Sequence, residues 1–412
     1  MSKKKIIVPL ILILAAAVYW IFFHKDKTLK FIPENTDAVV VIDVKKLTGQ
    51  YLFSLVTHPS KWSGSPTKDN RSVSFKNSGI RVPDFFQIFH VRDSKFSEWY
   101  SVLELKDSRK FIAFLKSRQF IDKGNGNFQK DQIFIAIEKE YCIAGTSDQA
   151  FESIKKQLLR TPGNSKWNAG QLIHNTAASI SFISGQKIQN FSIEVKDDEI
   201  EIRNNPDTEI FNSIASRLQK GNRFLEMELD AENVKNYARF FNKSLADSSD
   251  ITYLRAAADL KQVNDTIISY EYDDDFNEIE KKTVQKITQP DYIVDLQSRI
   301  PGKTWEYFQA KKWINAQDQF TAIPFQPNTI SKTSSGVIIQ STRRPVSLSP
   351  EVKENYILIR NNPLLFSSLK TLNETEKKII SVIDYILYVN KARDYRITVK
   401  AKKGELPLIL RW

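Results

Sequence analysis

The sequence predicts an α+β protein, in which an N-terminal transmembrane helix is followed by two duplicated α+β halves with mostly antiparallel sheets. Three observations lead to this fold class. An unbroken apolar run fills residues 6–23, short strand-like segments alternate with amphipathic helical ones, and the order of these segments recurs later in the chain. The predicted organisation is an anchor at 1–28, a first half at 29–222 and a second half at 223–412.

The apolar run at 6–23 is long enough to cross a bilayer. As a helix its residues span roughly 27 Å at about 1.5 Å per residue, close to the ~30 Å hydrocarbon core. The basic cluster Lys3–Lys5 precedes the run, and short basic N-termini favour the cytoplasmic side. We therefore predict a single-pass signal anchor in the inner (cytoplasmic) membrane. The bilayer is the predicted partner of residues 6–23, and the body is predicted to be extracytoplasmic.

A cleaved signal peptide is the alternative interpretation of the same run. Ala15, Ala16 and Ala17 supply the small residues that such cleavage requires. Cleavage after Ala17 would expose Val-Tyr-Trp-Ile-Phe-Phe as the new N-terminus, and no polar region precedes the cut. The sequence therefore favours the uncleaved anchor.

Composition indicates an ordinary folded body. Of the 412 residues, 41% are hydrophobic and 26% are charged, and the stretch beyond the anchor exceeds one typical domain. The net charge is +12, but the basic residues are spread thinly, whereas nucleic-acid binding favours a concentrated basic stripe. No nucleic-acid partner is predicted. The single cysteine, Cys142, excludes an internal disulfide and with it a disulfide-rich secreted domain.

Strand and helix patterns alternate in the first half. Residues 38–44 (AVVVIDV) predict a buried strand, and residues 88–105 predict a hairpin around Asp93. Asp107 is the predicted N-cap of a helix in which Phe111 and Leu115 share one face.

The second half repeats much of this order. Residues 224–230 (FLEMELD) correspond to the strand at 38–44. Residues 258–287 correspond to the hairpin-plus-helix of 88–116, which predicts a second helix after the acidic cluster near residue 274. A tandem duplication accounts for this recurrence.

A competing alignment of the two halves matches Ile202–Pro206 with Ile359–Pro363, since both segments read Ile-Arg-Asn-Asn-Pro. In each copy a strand ends and Asn-Pro opens a helix, with Asn at the cap and Pro in the first turn. The two alignments disagree along part of the chain, so the duplication is predicted without a single register.

The sequence predicts no catalytic, cofactor-binding or metal site. None of the four histidines lies at metal-ligand spacing from another His, Cys or carboxylate. Asp273–Asp275 is the densest carboxylate cluster, but a calcium loop requires glycine at its sixth position, where Glu278 stands. Capping of a helix N-terminus is the favoured interpretation of these acids. Cys142 lies in an apolar segment and is predicted to be a small core residue.

Six aromatic residues crowd between positions 305 and 325. Trp305, Phe308 and Trp313 approximately share one helical face, which is typical of a helix that packs on a core. The alternative is an exposed aromatic surface for a polymer or protein partner. In that interpretation the candidate partner-binding residues are Trp305, Tyr307, Phe308 and Trp313.

The segment 31–47, FIPENTDAVVVIDVKKL, follows the lysine-led apolar run. Its pattern I-P-x-x-x-x-A-V-V-x-I-D-x-K-x-L resembles the opening of uncharacterised membrane-anchored envelope proteins of Bacteroidota, which carry a domain of unknown function. The resemblance implies an extracytoplasmic location and a duplicated fold of repeated α+β units. It implies no catalytic residues.

Two function hypotheses follow from these observations. The first is a single-pass, membrane-anchored extracytoplasmic protein with a non-enzymatic binding or scaffold role in the cell envelope, and with an envelope protein as partner. The second is a membrane-tethered hydrolase or lipid-modifying enzyme with no recognisable motif. That enzyme would require carboxylates and histidines, distant in sequence, to converge in one cleft. The anchor and the missing catalytic motif favour the first hypothesis.

Overall fold

The structure is a computed structural model. It describes residues 24–59, 78–160, 167–205, 209–218, 221–241, 250–272, 276–323, 328–368, 372–404 and 406–411. The chain divides into two compact units, the first formed by 1–204 with 404–412 and the second by 205–403. The predicted halves place this boundary later and assign the C-terminal segment to the second half.

The predicted fold class, α+β, is wrong. The protein is mostly antiparallel β-sheet, with 46% of its residues in strands and 23% in helices. The largest difference is at Glu278–Ser298, which is a strand where the acidic cluster predicted a helix. Thr283, Val284 and Ile287 within it are β-branched and favour a strand. Pairing with a 22-residue neighbouring strand outweighs the local helix cap.

The helices that the structure describes are short. None of them is long and apolar enough to cross a membrane. The predicted transmembrane segment at 6–23 lies outside the described residues.

In the part of the first unit that the structure describes there are ten strands. These are β1 (Thr36–Asp43), β2 (Phe85–Val91), β3 (Trp99–Glu104), β4 (Ile121–Gly124), β5 (Asn127–Lys130), β6 (Ile133–Glu138), β7 (Tyr141–Gly145), β8 (Ala178–Ser184), β9 (Lys187–Val195) and β10 (Glu199–Arg203). Its helices are α1 (Val44–Thr57), α2 (Ser108–Ser117), α3 (Phe151–Ile154) and α4 (Ala169–Leu172), with a π-helix at Lys155–Arg160 and a 3-10 helix at Leu408–Leu410. All strand pairs are antiparallel, in the order β10-β9-β8-β1-β2-β3-β7-β6-β5-β4.

The described residues of the second unit form eight strands. These are β11 (Leu225–Asp230), β12 (Ile251–Tyr272), β13 (Glu278–Ser298), β14 (Asn328–Lys332), β15 (Gly336–Ser341), β16 (Asn355–Arg360), β17 (Ile383–Lys391) and β18 (Asp394–Ala401). Its helices are α5 (Glu209–Leu218), α6 (Ala231–Phe241), α7 (Pro301–Ala310), α8 (Pro363–Ser368) and α9 (Glu374–Val382). The antiparallel order is β18-β17-β16-β11-β12-β13-β15-β14.

In each unit the first strand is a central strand of the sheet, and it ends in an aspartate that caps a helix. β1 pairs with β2 and β8, and β11 pairs with β12 and β16. The Asp43 carboxylate accepts a hydrogen bond from the Lys46 N–H at 2.8 Å. The Asp230 carboxylate accepts one from the Asn233 N–H at 2.9 Å. In both units the chain therefore leaves the central strand directly into a capped helix, α1 or α6.

The two central strands differ on the face that carries the capping aspartate. In β1 that face carries Val39 and Val41, which are fully buried in the apolar core of the first unit. In β11 the positions two and four residues before the aspartate are Glu228 and Glu226, which are also buried. The second unit therefore encloses carboxylates where the first encloses valines.

Candidate functional site

The four predicted aromatic residues lie on and just after α7. Phe308 is only 1% exposed, and its ring centroid lies 5.4 Å from that of Trp313 and 5.7 Å from that of Phe320. Trp305 and Tyr307 are half-buried against the same core. The structure brings the four residues together around Phe308, in the core of the second unit.

A long β-hairpin carries several exposed large apolar side chains. β11 pairs with β12 only as far as Ala258, and β15 pairs with β13 only from Ile293 onward. Beyond these points 14 residue pairs, from Asp259–Asp291 to Tyr272–Glu278, have no third strand in the described part of the chain. At about 3.4 Å per residue this ribbon projects ~48 Å. We call residues 259–272 and 278–291 the arm.

One face of the arm carries large apolar side chains. Directly opposed residues in an antiparallel pair point to the same side, and the side alternates along each strand. Ile268, Tyr270 and Tyr272 therefore share a face, together with Val284 opposite Thr266. All four side chains are exposed, Tyr270 by 61%, and Phe276 beyond the tip is 85% exposed. We call this side of the ribbon the apolar face.

The other face of the arm is more polar. Ser269, Glu271 and Lys281 lie on it, and the Lys281 ammonium forms an ion pair with the Glu271 carboxylate at 2.6 Å. Ile279 is an exposed large apolar side chain of this face. Charged residues also lie on the apolar face, where the Lys282 ammonium forms an ion pair with the Glu280 carboxylate at 2.8 Å. The apolar face is therefore distinguished by its exposed tyrosines and not by an absence of charge.

The tip of the arm is acidic. Among the residues that the structure describes, Glu271, Glu278 and Glu280 supply carboxylates there. The Tyr272 hydroxyl donates a hydrogen bond to the Glu278 carboxylate at 3.0 Å, across the last residue pair. An acidic, aromatic tip therefore stands on a chain whose net charge is +12.

An apolar groove of about 430 Å³ lies at the base of the arm. Its ribbon side is formed by Ala256, Ala258 and Leu260 of β12 and by Pro290, Tyr292 and Val294 of β13. By the pairing register these six residues lie on the same side of the ribbon as the apolar face. Small alanine side chains leave the space that forms the groove. We call it the base groove.

Tyr292 is the polar group of the base groove. Burial raises the pKa of its phenol to about 12, although the hydrogen bond from Asn328 lowers it. The Asn328 amide donates that bond to the phenol oxygen at 2.8 Å. The phenol is therefore neutral and held in place, and the groove offers an apolar surface.

The buried carboxylates of β11 accept hydrogen bonds from neighbouring segments of the second unit. The Glu228 carboxylate, 2% exposed, accepts hydrogen bonds from the N–H groups of Val352 at 3.0 Å and Lys353 at 2.5 Å, and from the Tyr253 hydroxyl. Burial, together with the hydrogen bond to Glu228, raises the pKa of Tyr253. The Glu226 carboxylate accepts a bond from the Ser349 hydroxyl at 2.6 Å. These carboxylates fasten the segment before β16 to the sheet.

The first unit has a cleft of about 250 Å³ with charges of both signs. Within it Lys30 and Arg81 flank Glu104, with nitrogen–oxygen distances of 3.9 and 3.3 Å. Among the residues that the structure describes, no group of three or more His, Cys, Asp or Glu side chains is placed to hold a metal ion.

A Ser–His–Asp arrangement lies at the β2–β3 turn. His90 Nδ1 is 2.6 Å from the Asp37 carboxylate, and His90 Nε2 is 3.2 Å from the Ser94 hydroxyl. These contacts join Asp37 and His90, which are 53 residues apart in the sequence. Sequence reasoning missed the group because no local spacing pattern connects its members.

The hydrogen bonds around this arrangement oppose a nucleophilic role for Ser94. His90 Nε2 also lies 3.0 Å from the Lys95 carbonyl oxygen, so it carries a proton and donates it there. The Ser94 hydroxyl donates to the Val91 carbonyl oxygen at 2.7 Å. A catalytic base must instead accept the proton of the hydroxyl. The group acts as a clamp that fastens the turn to β1.

Comparison with protein-family models, with curated proteins and with solved structures finds no match for this chain. The resemblance of residues 31–47 to Bacteroidota envelope proteins therefore stays a prediction.

Proposed function

We propose that this chain is a membrane-anchored, extracytoplasmic protein of the cell envelope that binds a protein partner through the apolar face of the arm, in a non-enzymatic role. The observation that carries the proposal is the exposure of Ile268, Tyr270, Tyr272 and Val284 on one side of a ribbon that no other described strand flanks.

The energetics of the arm support a binding role. An isolated two-stranded hairpin is marginally stable in water. Its unpaired strand edges and its exposed apolar side chains favour association. Tyrosines in particular supply large contact area at low entropic cost and are enriched at the centres of protein interfaces. A partner that covers the apolar face would stabilise the ribbon and bury this surface.

The anchor supports the proposed location. Residues 6–23 are continuously apolar and follow Lys3–Lys5, which favours a cytoplasmic N-terminus. An arm of ~48 Å on the body could then reach a partner at some distance from the membrane surface. After membranes are washed with alkaline carbonate, we expect the full chain to remain in them. A variant that lacks residues 1–28 is expected to be washed off.

A tandem duplication is part of the same proposal. Both units place their first strand between their second strand and a later strand, and both end that first strand with an N-capping aspartate. Under duplication, β12–β13 is the elongated counterpart of β2–β3. The second copy would then have acquired its binding surface by extending one hairpin.

Site-specific photo-crosslinking in intact cells tests the arm. We expect p-benzoylphenylalanine at Tyr270, on the apolar face, to give one dominant protein adduct, identified by mass spectrometry. The matched control is the same residue at Ser269, on the opposite face, which is expected to give at least tenfold less adduct. Equal yields at the two positions, or no adduct at either, would contradict the proposal.

A further inference from the structure

We infer that α1 is a second membrane contact of this chain, which lies on the bilayer surface and inserts the side chains of Leu52, Phe53 and Val56 into the lipid. The inference rests on the proposed function, because it takes residues 6–23 as the anchor. It adds that one end of the sheet in the first unit faces the membrane.

The outward side of α1 is apolar. Phe53 is 71% exposed and Val56 is 64% exposed, and Leu52 is exposed beside them. At about 100° per residue these three side chains fall within about one third of the helix circumference. Leu47, on the opposite side, is half-buried. A surface helix usually turns its apolar stripe towards the core, whereas α1 also presents apolar side chains outward.

The chain beside the predicted anchor is fastened to the start of α1. His24 directly follows the apolar run, and its carbonyl oxygen accepts a hydrogen bond from the Lys45 ammonium in the first turn of α1. The Lys25 ammonium forms an ion pair with Asp43, the N-cap of the same helix. The end of the sheet where β1 stops therefore lies next to the residue that follows the anchor.

α1 lies across this end of the sheet. The Lys46 ammonium donates to the carbonyl oxygen of Asn175, just before β8, and β8 is the neighbour of β1. α1 also contacts the 3-10 helix Leu408–Leu410. That helix is bound to the same end, since the Leu408 N–H donates to the Asp197 carbonyl oxygen at 2.6 Å in the turn between β9 and β10.

The length of α1 agrees with this path. Its 14 residues span ~21 Å at about 1.5 Å per residue. The path from β1 across β8 and β9 to β10 covers three strand spacings, or ~14 Å at about 4.8 Å each. The exposed side chains of α1 therefore point away from the sheet at the end beside the anchor.

A bilayer is the occupant that fits this position. The predicted span ends at residue 23 and residue 24 is already bound to the body, so no linker separates α1 from the membrane surface. Phenylalanine and leucine are typical of the apolar face of an interfacial helix, which is buried about 5–10 Å into the boundary between headgroups and acyl chains. A second contact would hold the first unit in one orientation on the membrane.

Fluorescence quenching tests the contact in the full chain, reconstituted into vesicles of phosphatidylethanolamine and phosphatidylglycerol. Phe53→Cys carries an NBD fluorophore, and the quencher is a phosphatidylcholine with a nitroxide near its headgroup. Burial raises the pKa of the native Cys142 thiol to about 12, which keeps it out of the labelling reaction. The matched control is Phe96→Cys, because Phe96 is 72% exposed and follows β2 at the opposite end of β1.

We expect the protein to float with the vesicles, and the nitroxide lipid to quench the label at position 53 about fivefold more than the label at position 96. Circular dichroism verifies that each labelled variant is folded. Equal quenching at the two positions in floated vesicles would overturn the inference and leave the anchor in place. A protein that does not float would refute the anchor and the contact of α1 together.

Photo-crosslinking in intact cells distinguishes lipid from a protein at the same surface. We expect p-benzoylphenylalanine at Phe53 to give no dominant protein adduct. A dominant protein adduct at this position would assign the outward side of α1 to a protein interface and would overturn the inference.

Discussion

Asp230 and Asn355 are joined by two hydrogen bonds. The Asp230 N–H donates to the Asn355 side-chain oxygen at 2.6 Å, and the Asn355 amide donates to the Asp230 carboxylate at 2.7 Å. The two residues are 125 positions apart and connect the end of β11 to the start of β16. This reciprocal pair holds the central strand of the second unit against its neighbour at the point where α6 begins.

The first prediction concerns acid stability. Burial raises the pKa of Asp230, but the hydrogen bonds from Asn233 and Asn355 outweigh burial and lower it below the ordinary value of 3.8. A carboxyl with a lowered folded-state pKa stabilises the fold above its unfolded pKa. This contribution disappears as the pH falls through the lowered value.

We therefore expect Asp230→Asn to reduce the free energy of unfolding at neutral pH and to have a smaller effect at about pH 2. Urea unfolding at a series of pH values measures this difference. A difference between variant and wild type that does not change with pH would refute the assignment.

The second prediction concerns the buried carboxylate of Glu228. Glu228→Leu leaves the N–H groups of Val352 and Lys353 and the Tyr253 hydroxyl without their acceptor. We expect the free energy of unfolding to fall by about 3–5 kcal/mol, as when one partner is removed from a buried charged network. The matched control is Glu351→Ala, whose carboxylate is 39% exposed and lies 3.7 Å from Arg255. That surface pair is expected to contribute at most ~1 kcal/mol. If urea unfolding gives equal losses of free energy for the two variants, the hydrogen bonds to the Glu228 carboxylate do not stabilise the fold as proposed.

The third prediction concerns the thiol of Cys142. Burial raises its pKa to about 12, so it stays protonated at neutral pH, and thiolate is the reactive form. We expect no reaction with Ellman's reagent in the native protein and full reaction in denaturant. The urea concentration at which the thiol becomes reactive then reports the unfolding of the first unit. Rapid labelling without denaturant would contradict the burial of β7.

The fourth prediction separates the clamp at the β2–β3 turn from a hydrolase site. If Ser94, His90 and Asp37 only fasten the turn, a fluorophosphonate probe will not label Ser94. His90→Ala removes the buried contacts to Asp37 and Lys95, and should destabilise the protein by about 1–3 kcal/mol. Ser94→Ala is the control, which removes the hydroxyl but leaves both contacts. Labelling that Ser94→Ala abolishes would instead support the hydrolase hypothesis.

Local patterns predicted several elements from the sequence. The buried strand predicted at 38–44 lies in β1 up to Asp43, and the helix predicted after Asp107 is α2, with Phe111 and Leu115 buried. The turn around Asp93 is present, with Asp93 in the left-handed region at φ 70°. These features depend on side chains within a few positions of each other, so a short window of sequence contains the information.

Other features could not be predicted because they depend on distant partners. The acids near residue 274 are good helix caps, and nothing local shows that the residues after them pair with β12. Glu226 and Glu228 resemble solvent-facing positions of a strand, yet the segment before β16 supplies the donors that allow their burial. His90 meets Asp37 only because β1 and β2 are neighbours.

The sequence by itself determined the apolar run at 6–23, the strands that correspond to β1 and β11, and the burial of Cys142. Hydropathy and periodicity are properties of neighbouring residues, so they can be read from the sequence alone. Only the tertiary structure decided that the protein is mostly antiparallel β and that β12 and β13 extend beyond their neighbours as an arm. Strand pairing arises between segments far apart in the chain, and local propensity does not encode it.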